Sequence, residues 1–560
     1  MQINKLKDLI RAILLMATVS VGLFITPSIS SEPVDQPKMA LLVPFAFAVF
    51  AFMILNFKVV LNENNKSFLI FIALFMTQLG LVVIFSGAPF NQQFFGTFGR
   101  NTGFLSYVAL SSLALAASWA MDVVGVFRLV YSLIIVGAIS IIYSLMQTFA
   151  ADPIKWNNPY NSILAFLGNP NFASSFTGMC GVAVFALLLR PKTNLASRAF
   201  LIIYLISATF VMYRSGSQQG LLVFGAGNLI VLLAYIQGTT RLNRPTVKYS
   251  FVGLSVLISA LVILGTLKLG PLGTHLYKLS VRQRGFYWQA AKKMMVNHPF
   301  FGVGLDSYGD WYFKYRSLNA AFHTPVTQSN AAHNVYLEFG SNGGIPLFLI
   351  NLILVLIVAI SAWKLIRRQT SYNWAFAGLV GAWVAYQAQA LISINQLGLA
   401  VWGWVLAGAI VGIEFVTRDG SQKSSLISGK PTRNRKSKSS TNYQALVGLL
   451  GFTVGAILVA PVFANDANYR SAVQSRNANL IIAAALKSPE DTGRTIQAAQ
   501  LLLNSKLIPQ GIELTKHVLK VHPRDFNAWS LLAGSTQPGS KENVLAANKL
   551  KQLNPQIQSK

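Results

Sequence analysis

Thirteen apolar runs, each close to the length of one membrane crossing, follow one another from the N-terminus to about residue 463. Their approximate extents are 9–29, 39–58, 67–86, 103–121, 126–148, 170–189, 198–213, 217–236, 249–268, 344–363, 373–392, 396–416 and 444–463. A hydrocarbon core about 30 Å thick is crossed by about 20 helical residues. The expected fold class is therefore all-α: a polytopic membrane protein with about 12–13 transmembrane helices. Composition agrees. Charged residues make up 11% of the chain and hydrophobic ones 53%, whereas a soluble domain carries about a quarter charged residues.

The formal net charge of +29 sits largely in short loops between these runs. Loops bearing Arg190, Lys192 and Arg198, then Arg241, Arg244 and Lys248, then Lys364, Arg367 and Arg368, alternate with loops poor in charge. That alternation places the basic set and the N-terminus in the cytoplasm, and it accounts for the charge without a nucleic acid partner. The long loop 269–343 and the C-terminal tail then lie outside the cytoplasmic membrane. Lys5, Lys7 and Arg11 precede the first run as they would in a signal peptide, but no clear small-residue cleavage site precedes Ser31. The run is read as a retained helix. Cys180 is the only cysteine, so no intramolecular disulfide forms.

The domain division is a membrane core over 1–463 and an outer tail over 464–560. Segment 417–443, rich in Ser, Lys, Arg, Gly and Pro, reads as a disordered cytoplasmic linker that can contact anionic lipid. In the tail, apolar residues recur at helical spacing through Ile496, Ala499 and Leu503, then Ile512, Leu514, Val518 and Leu519. A further helix is expected after His522-Pro523, through Trp529 to Ala533. Helix pairs broken by a Pro-containing turn resemble an incomplete tetratricopeptide repeat. The tail is read as a helical docking module for a protein or as a packed helical end.

The chemistry is expected in the 269–343 loop, the longest polar interruption of the chain. No phosphate loop with lysine is present, and no histidine pair or cysteine cluster suggests a metal; neither metal nor cofactor is expected. The loop carries Lys278, Arg282, Arg284, Lys292, Lys293, Lys314 and Arg316 against Asp306, Asp310 and Glu338. A cationic site beside the bilayer suits an anionic, lipid-borne substrate, and arginine binds phosphate through its planar fork. If 282–297 is helical, Arg284 and Trp288 share one face while Arg282 lies roughly opposite. The two arginines are then not expected to reach one pocket easily. His333 is the candidate for taking a proton from a sugar hydroxyl. His298, before Pro299, is expected to close a helix, and His323 to sit in a turn. Arg100 and Arg214, isolated on the charge-poor side, are candidate diphosphate ligands; an arginine at Arg214's depth needs a partner or a wet cavity.

Several short motifs resemble the O-antigen ligase and polymerase family. They are Arg284-x-x-x-Trp288, His298-Pro299-x-x-Gly302-x-Gly304, His333-Asn334-x-Tyr336-Leu337 and Gly343-Gly344. Gly168-Asn169-Pro170-Asn171-Phe172 and Arg214-Ser215-Gly216 extend the pattern, which covers roughly residues 60–415. The resemblance implies a membrane glycosyltransferase acting on a polyprenyl-diphosphate-linked glycan, with a glycan, lipid or protein acceptor. It implies catalytic roles for His333 and Arg284, and substrate contacts from Arg214, Arg100, Arg282, Trp288 and Asn334. It also implies the bacterial cytoplasmic membrane as location. The competing readings are a transporter of a small anion such as bicarbonate and a noncatalytic assembly scaffold.

Overall fold

The computed structural model describes residues 3–156, 163–418 and 439–557. Among them the regular structure is all helical. The linker expected at 417–443 falls almost entirely outside the described residues. All thirteen expected runs are helices. Eleven helices are long and apolar enough to cross a membrane. The first run, Ile3–Leu23, carries Lys5, Lys7, Asp8 and Arg11. The run Phe104–Ala120 has only 17 residues.

That short helix sits at the centre and is almost wholly buried. It packs on Leu397–Arg418, Asp35–Leu55 and Ile3–Leu23. Its neighbour approaches closely because it presents glycine. A Cβ on Gly408 would lie 2.0 Å from the carbonyl oxygen of Ala114, and one on Gly412 would lie 2.6 Å from that of Ser118. Small residues at such contacts let backbones meet and supply the packing that lipid cannot. At the other extreme, Pro245–Thr266 buries only Gly265 and faces outward along its length. At one end of the bundle the basic loops are tied by Lys7–Glu63 at 2.8 Å, Arg11–Asp122 at 2.5 Å and Arg368–Glu414 at 2.9 Å. The long loop and the tail gather at the other end.

Val335–Arg367 is two helices meeting at Gly344, whose φ of 77° and ψ of −179° interrupt the spiral. The expected span began at residue 344, so its boundary is this break. Residues 299–304 fill the gap. The Val303 N–H donates to the Ser341 carbonyl at 2.8 Å, Gly304 N–H to Asn342 at 3.1 Å, and Ile345 N–H to Pro299 at 2.7 Å. A Cβ on Gly302 would meet the Asn342 carbonyl carbon at 2.4 Å, and one on Gly344 the Phe300 carbonyl carbon at 2.6 Å. The two glycine motifs of the sequence are the halves of one interlock.

The helix expected over 444–463 runs on, from Ser439 to Ser475, across the expected domain boundary. Its polar extension is held from both sides. Asp466 accepts from the Glu32 N–H at 2.9 Å, and the Asn465 amide donates to the carbonyls of Lys487 at 3.3 Å and Ser488 at 3.0 Å. Five tail helices follow: Ala478–Ala485, Thr492–Asn504, Ile508–Val521, Phe526–Ser535 and Lys541–Leu553. Each packs on its successor. The tail then folds back onto the long loop. His522 meets Asp310 at 3.0 Å, Phe526 packs on Phe313, Arg524 stacks over Trp311, and Asn554 accepts from the fully buried Arg316 at 3.1 Å.

Candidate functional site

Helix Leu279–Asn297 crosses above the bundle and ends at His298, as the His-Pro pair suggested. Its N-terminal half borders a cavity of about 480 Å³. Lys278, Arg282, Arg284 and Trp288 line it, together with Asn171 and the turn Gly216–Gln219. Three motifs, spread along the chain from Asn171 to Trp288, thus converge on one space. The expectation that Arg282 and Arg284 cannot share a pocket is incorrect. The lining includes Lys278, Ser280, Val281, Arg282, Arg284 and Gly285, so it takes in more than one stripe of the helix's first turns, and both arginines belong to it.

Among the described residues, no carboxylate lines this cavity. The Nε atoms of both arginines are buried without a hydrogen-bond partner, and among the described residues neither arginine forms an ion pair. Burial lowers the pKa of Arg284, as expected for a cation lacking a carboxylate. Thr266 and Leu267 also line the cavity. It therefore adjoins the end of the outward-facing helix Pro245–Thr266. Arg214 ends helix Leu195–Arg214 two residues before the lining turn, and its own side chain is exposed outside the lining.

His333 adjoins the cavity without lining it. Its backbone is left-handed at φ 50°. Its carbonyl accepts a long hydrogen bond from the Trp288 indole at 3.4 Å, and its ring lies against Tyr287 at 5.3 Å. Burial, then Arg284, then Arg100, pull its pKa down to about 3, so the ring is neutral and holds a free nitrogen lone pair at physiological pH. Asn334 caps the next helix. Its side chain accepts from the Leu337 N–H at 3.0 Å and donates to the Leu391 carbonyl at 2.9 Å; it is outside the lining.

Arg100 is also outside the lining. Only 5% exposed, it pairs with Glu338 and, at 3.4 Å, with Asp306, and donates to the Asn330 carbonyl at 2.8 Å. Its guanidinium thereby anchors the segment three residues before His333. Asp306 is held in turn by the Thr102 hydroxyl at 3.0 Å and the Thr97 N–H at 2.8 Å. No cluster of His, Cys, Asp or Glu suited to a metal exists among the described residues.

Residues 202–352 match the family model for O-antigen ligase. The chain carries an O-antigen ligase domain. The matched stretch contains Arg214, Arg282, Arg284, Trp288, His333 and Asn334, while Arg100 and the tail lie outside it. No curated protein matches the chain. The ligase domain and the eleven apolar helices indicate a multi-pass protein of the bacterial inner membrane with a glycan-transfer role in polysaccharide assembly.

Around the ligase domain, sequence reasoning assigned no role to Lys278, Tyr287, Asp306 or Glu338. Glu338 did carry a signal. A carboxylate in the first turn of an apolar span is costly unless paired, and here its partner is Arg100. Tyr287 carried none, because its contact with His333 is set by how the helices between them fold back rather than by local spacing.

Proposed function

We propose that this protein transfers a glycan from a polyprenyl-diphosphate carrier to an acceptor hydroxyl at the outer face of the cytoplasmic membrane. The observation that carries the reading is the carboxylate-free cavity lined by Lys278, Arg282 and Arg284 beside a neutral, buried His333. Cations with no internal partner suit a diphosphate, and arginine forks match its oxygens in pairs. The cavity borders the end of an outward-facing apolar helix, a position that suits a substrate whose polyprenyl chain stays in the bilayer. The alternation of basic loops supports reading this end of the bundle as outside and the N-terminus as cytoplasmic.

His333 accepts the proton of the acceptor hydroxyl as its oxygen attacks the anomeric carbon. The bond from that carbon to the diphosphate breaks, and the electron pair leaves with the lipid diphosphate. Arg284 and Arg282 stabilise the charge that develops there. Burial first, and then Arg284, make His333 a weak base; a diphosphate held by Arg284 offsets that cation and makes the ring more basic. Arg100 and Asn334 position the histidine segment through Asn330 and the helix cap. The arginines sit at the loop end of the bundle rather than at mid-bilayer, which favours transfer over ion transport.

The test is the glycan content of cells carrying the wild type, His333→Ala or Arg284→Ala at matched membrane levels. Lipid-linked glycan is expected to accumulate, and polymer or conjugate to disappear, in both variants; the missing product identifies the acceptor. Unchanged glycans in both would overturn the proposal.

A further inference from the structure

A second cavity, of about 210 Å³, lies where the tail meets the membrane core. One wall is the segment Pro89–Phe98, which contributes Phe90, Phe95 and Phe98; the other is the start of helix Thr492–Asn504 with Glu490 and Asp491 before it. Asn91 ties the walls together by donating to the Glu490 carbonyl at 3.1 Å. No cationic side chain lines this space among the described residues.

Gln92 lines the cavity and ties it to the long loop. Its amide nitrogen faces the Asp306 carbonyl at 3.0 Å, the Ser307 hydroxyl at 3.3 Å and the Asp310 carboxylate at 3.0 Å. Three acceptors fix which end of the amide is nitrogen. The side-chain oxygen, on a residue 9% exposed that lines the cavity, is left buried without a donor. A buried acceptor without a partner is unfavourable, and this oxygen is closed off from the cavity.

An aromatic wall and two carboxylates, Glu490 held on one oxygen by His517 at 3.0 Å and Asp491 by the Arg494 N–H at 3.1 Å, with no lining cation among the described residues, are complementary to a neutral ligand with many hydroxyl groups. The hydroxyls donate to the acceptors. The C–H face of a sugar ring lies on the electron-rich aromatic faces. Phosphate and uronic acid are disfavoured by Glu490 and Asp491. We propose that this cavity binds one neutral pyranose unit of the glycan being joined, so that the tail takes part in glycan selection. The inference rests on the glycan-transfer reading above. The link to the reaction is physical: Gln92 is bonded to Asp306, Asp306 to Arg100, and Arg100 to the Asn330 carbonyl beside His333.

The experiment uses the full-length protein in lipid nanodiscs and saturation-transfer NMR with glucose, galactose, rhamnose and N-acetylglucosamine, with glucuronic acid as the charged control. At least one neutral sugar is expected to receive saturation, and glucuronic acid none. Phe90→Ala removes an aromatic face that is already 60% exposed, and Thr492→Trp fills the cavity. Each is expected to weaken binding at least fivefold with an unchanged melting temperature. Absence of binding by all four neutral sugars, or binding that persists in both variants, overturns the inference. In membranes, Thr492→Trp raises the apparent KM for added lipid-linked glycan if the bound unit belongs to the donor, and for the acceptor if it belongs there. Sugar binding that fails while transfer still requires His333 removes this inference alone. Transfer that survives His333→Ala removes the transfer mechanism and leaves the binding result standing.

Discussion

The two cavities at the loop end of the bundle are built from opposite chemistry. Among the described residues, the one beside His333 gathers Lys278, Arg282 and Arg284 with no carboxylate, and the one beneath the tail gathers Glu490 and Asp491 with no cation. The acids of the long loop explain how they stay apart. Asp306 and Glu338 are engaged by Arg100, and Asp310 by His522. Each loop carboxylate thus has its cation elsewhere, so Arg282 and Arg284 keep their charge for a ligand. The difference teaches that the buried ion pairs of this protein do more than hold it together: they keep acids away from the space where an anion is to bind.

Four changes break or sharpen that contrast. His333→Ala is expected to lower glycan transfer about 10²–10⁴-fold, the usual contribution of a general base, at unchanged melting temperature; the readout is polymer or conjugate against accumulated lipid-linked glycan. Arg284→Ala is expected to lower transfer about 10²–10³-fold. It also raises the His333 pKa from its depressed value towards about 6.5, so the acid limb of kcat/KM moves to higher pH; an unmoved limb would show that the two side chains are not coupled. Glu338→Gln leaves Arg100 buried with Asp306 as its only anion. It is expected to cost about 3 kcal/mol, seen as a lowered melting temperature, and transfer falls with the loss of a firm anchor at Asn330. The smallest effect is at the tail. Burial lowers the His522 pKa, but Asp310 and Asp525 outweigh it and raise the pKa overall. Its stabilisation is therefore fully present below the ordinary histidine value and is lost as pH rises through the raised one. His522→Asn is expected to loosen the tail by about 2 kcal/mol, measured as faster limited proteolysis at acid and neutral pH and little difference from wild type in alkali.

The membrane frame was legible because apolar run length alone decides it, and each run is a helix. The break at Gly344 was legible as the start of the span, since residues 335–343 are polar enough to interrupt the apolar run. Helix Leu279–Asn297 and its cap at His298 were readable from local spacing. The placement of the arginines was not. A helical wheel assumes a flat neighbour, whereas the lining takes in more than one stripe of the first turns and includes Arg282 with Arg284. The pairs Arg100–Glu338 and Arg316–Asn554 each join residues 238 positions apart. No local pattern announces them, because their spacing is set by how the helices pack. Nor did the tail's periodicity show that its second face is the loop: Phe526 and Arg524 read as ordinary helix-start residues until Phe313 and Trp311 stand opposite them.

The hydrogen bond from the Val303 N–H to the Ser341 carbonyl has a consequence for evolution. It closes the chain on itself, so the segment that carries helices Tyr308–Tyr315 and Leu318–His323 leaves the bundle and returns to the same point. Lengthening such a closed excursion costs only a slowly growing loop entropy, and its interior can be rewritten without shifting any membrane helix. His333 stands close to the returning end, just before the closure. A lineage could therefore exchange most of this excursion, and with it the glycan it handles, while inheriting the reacting position unchanged.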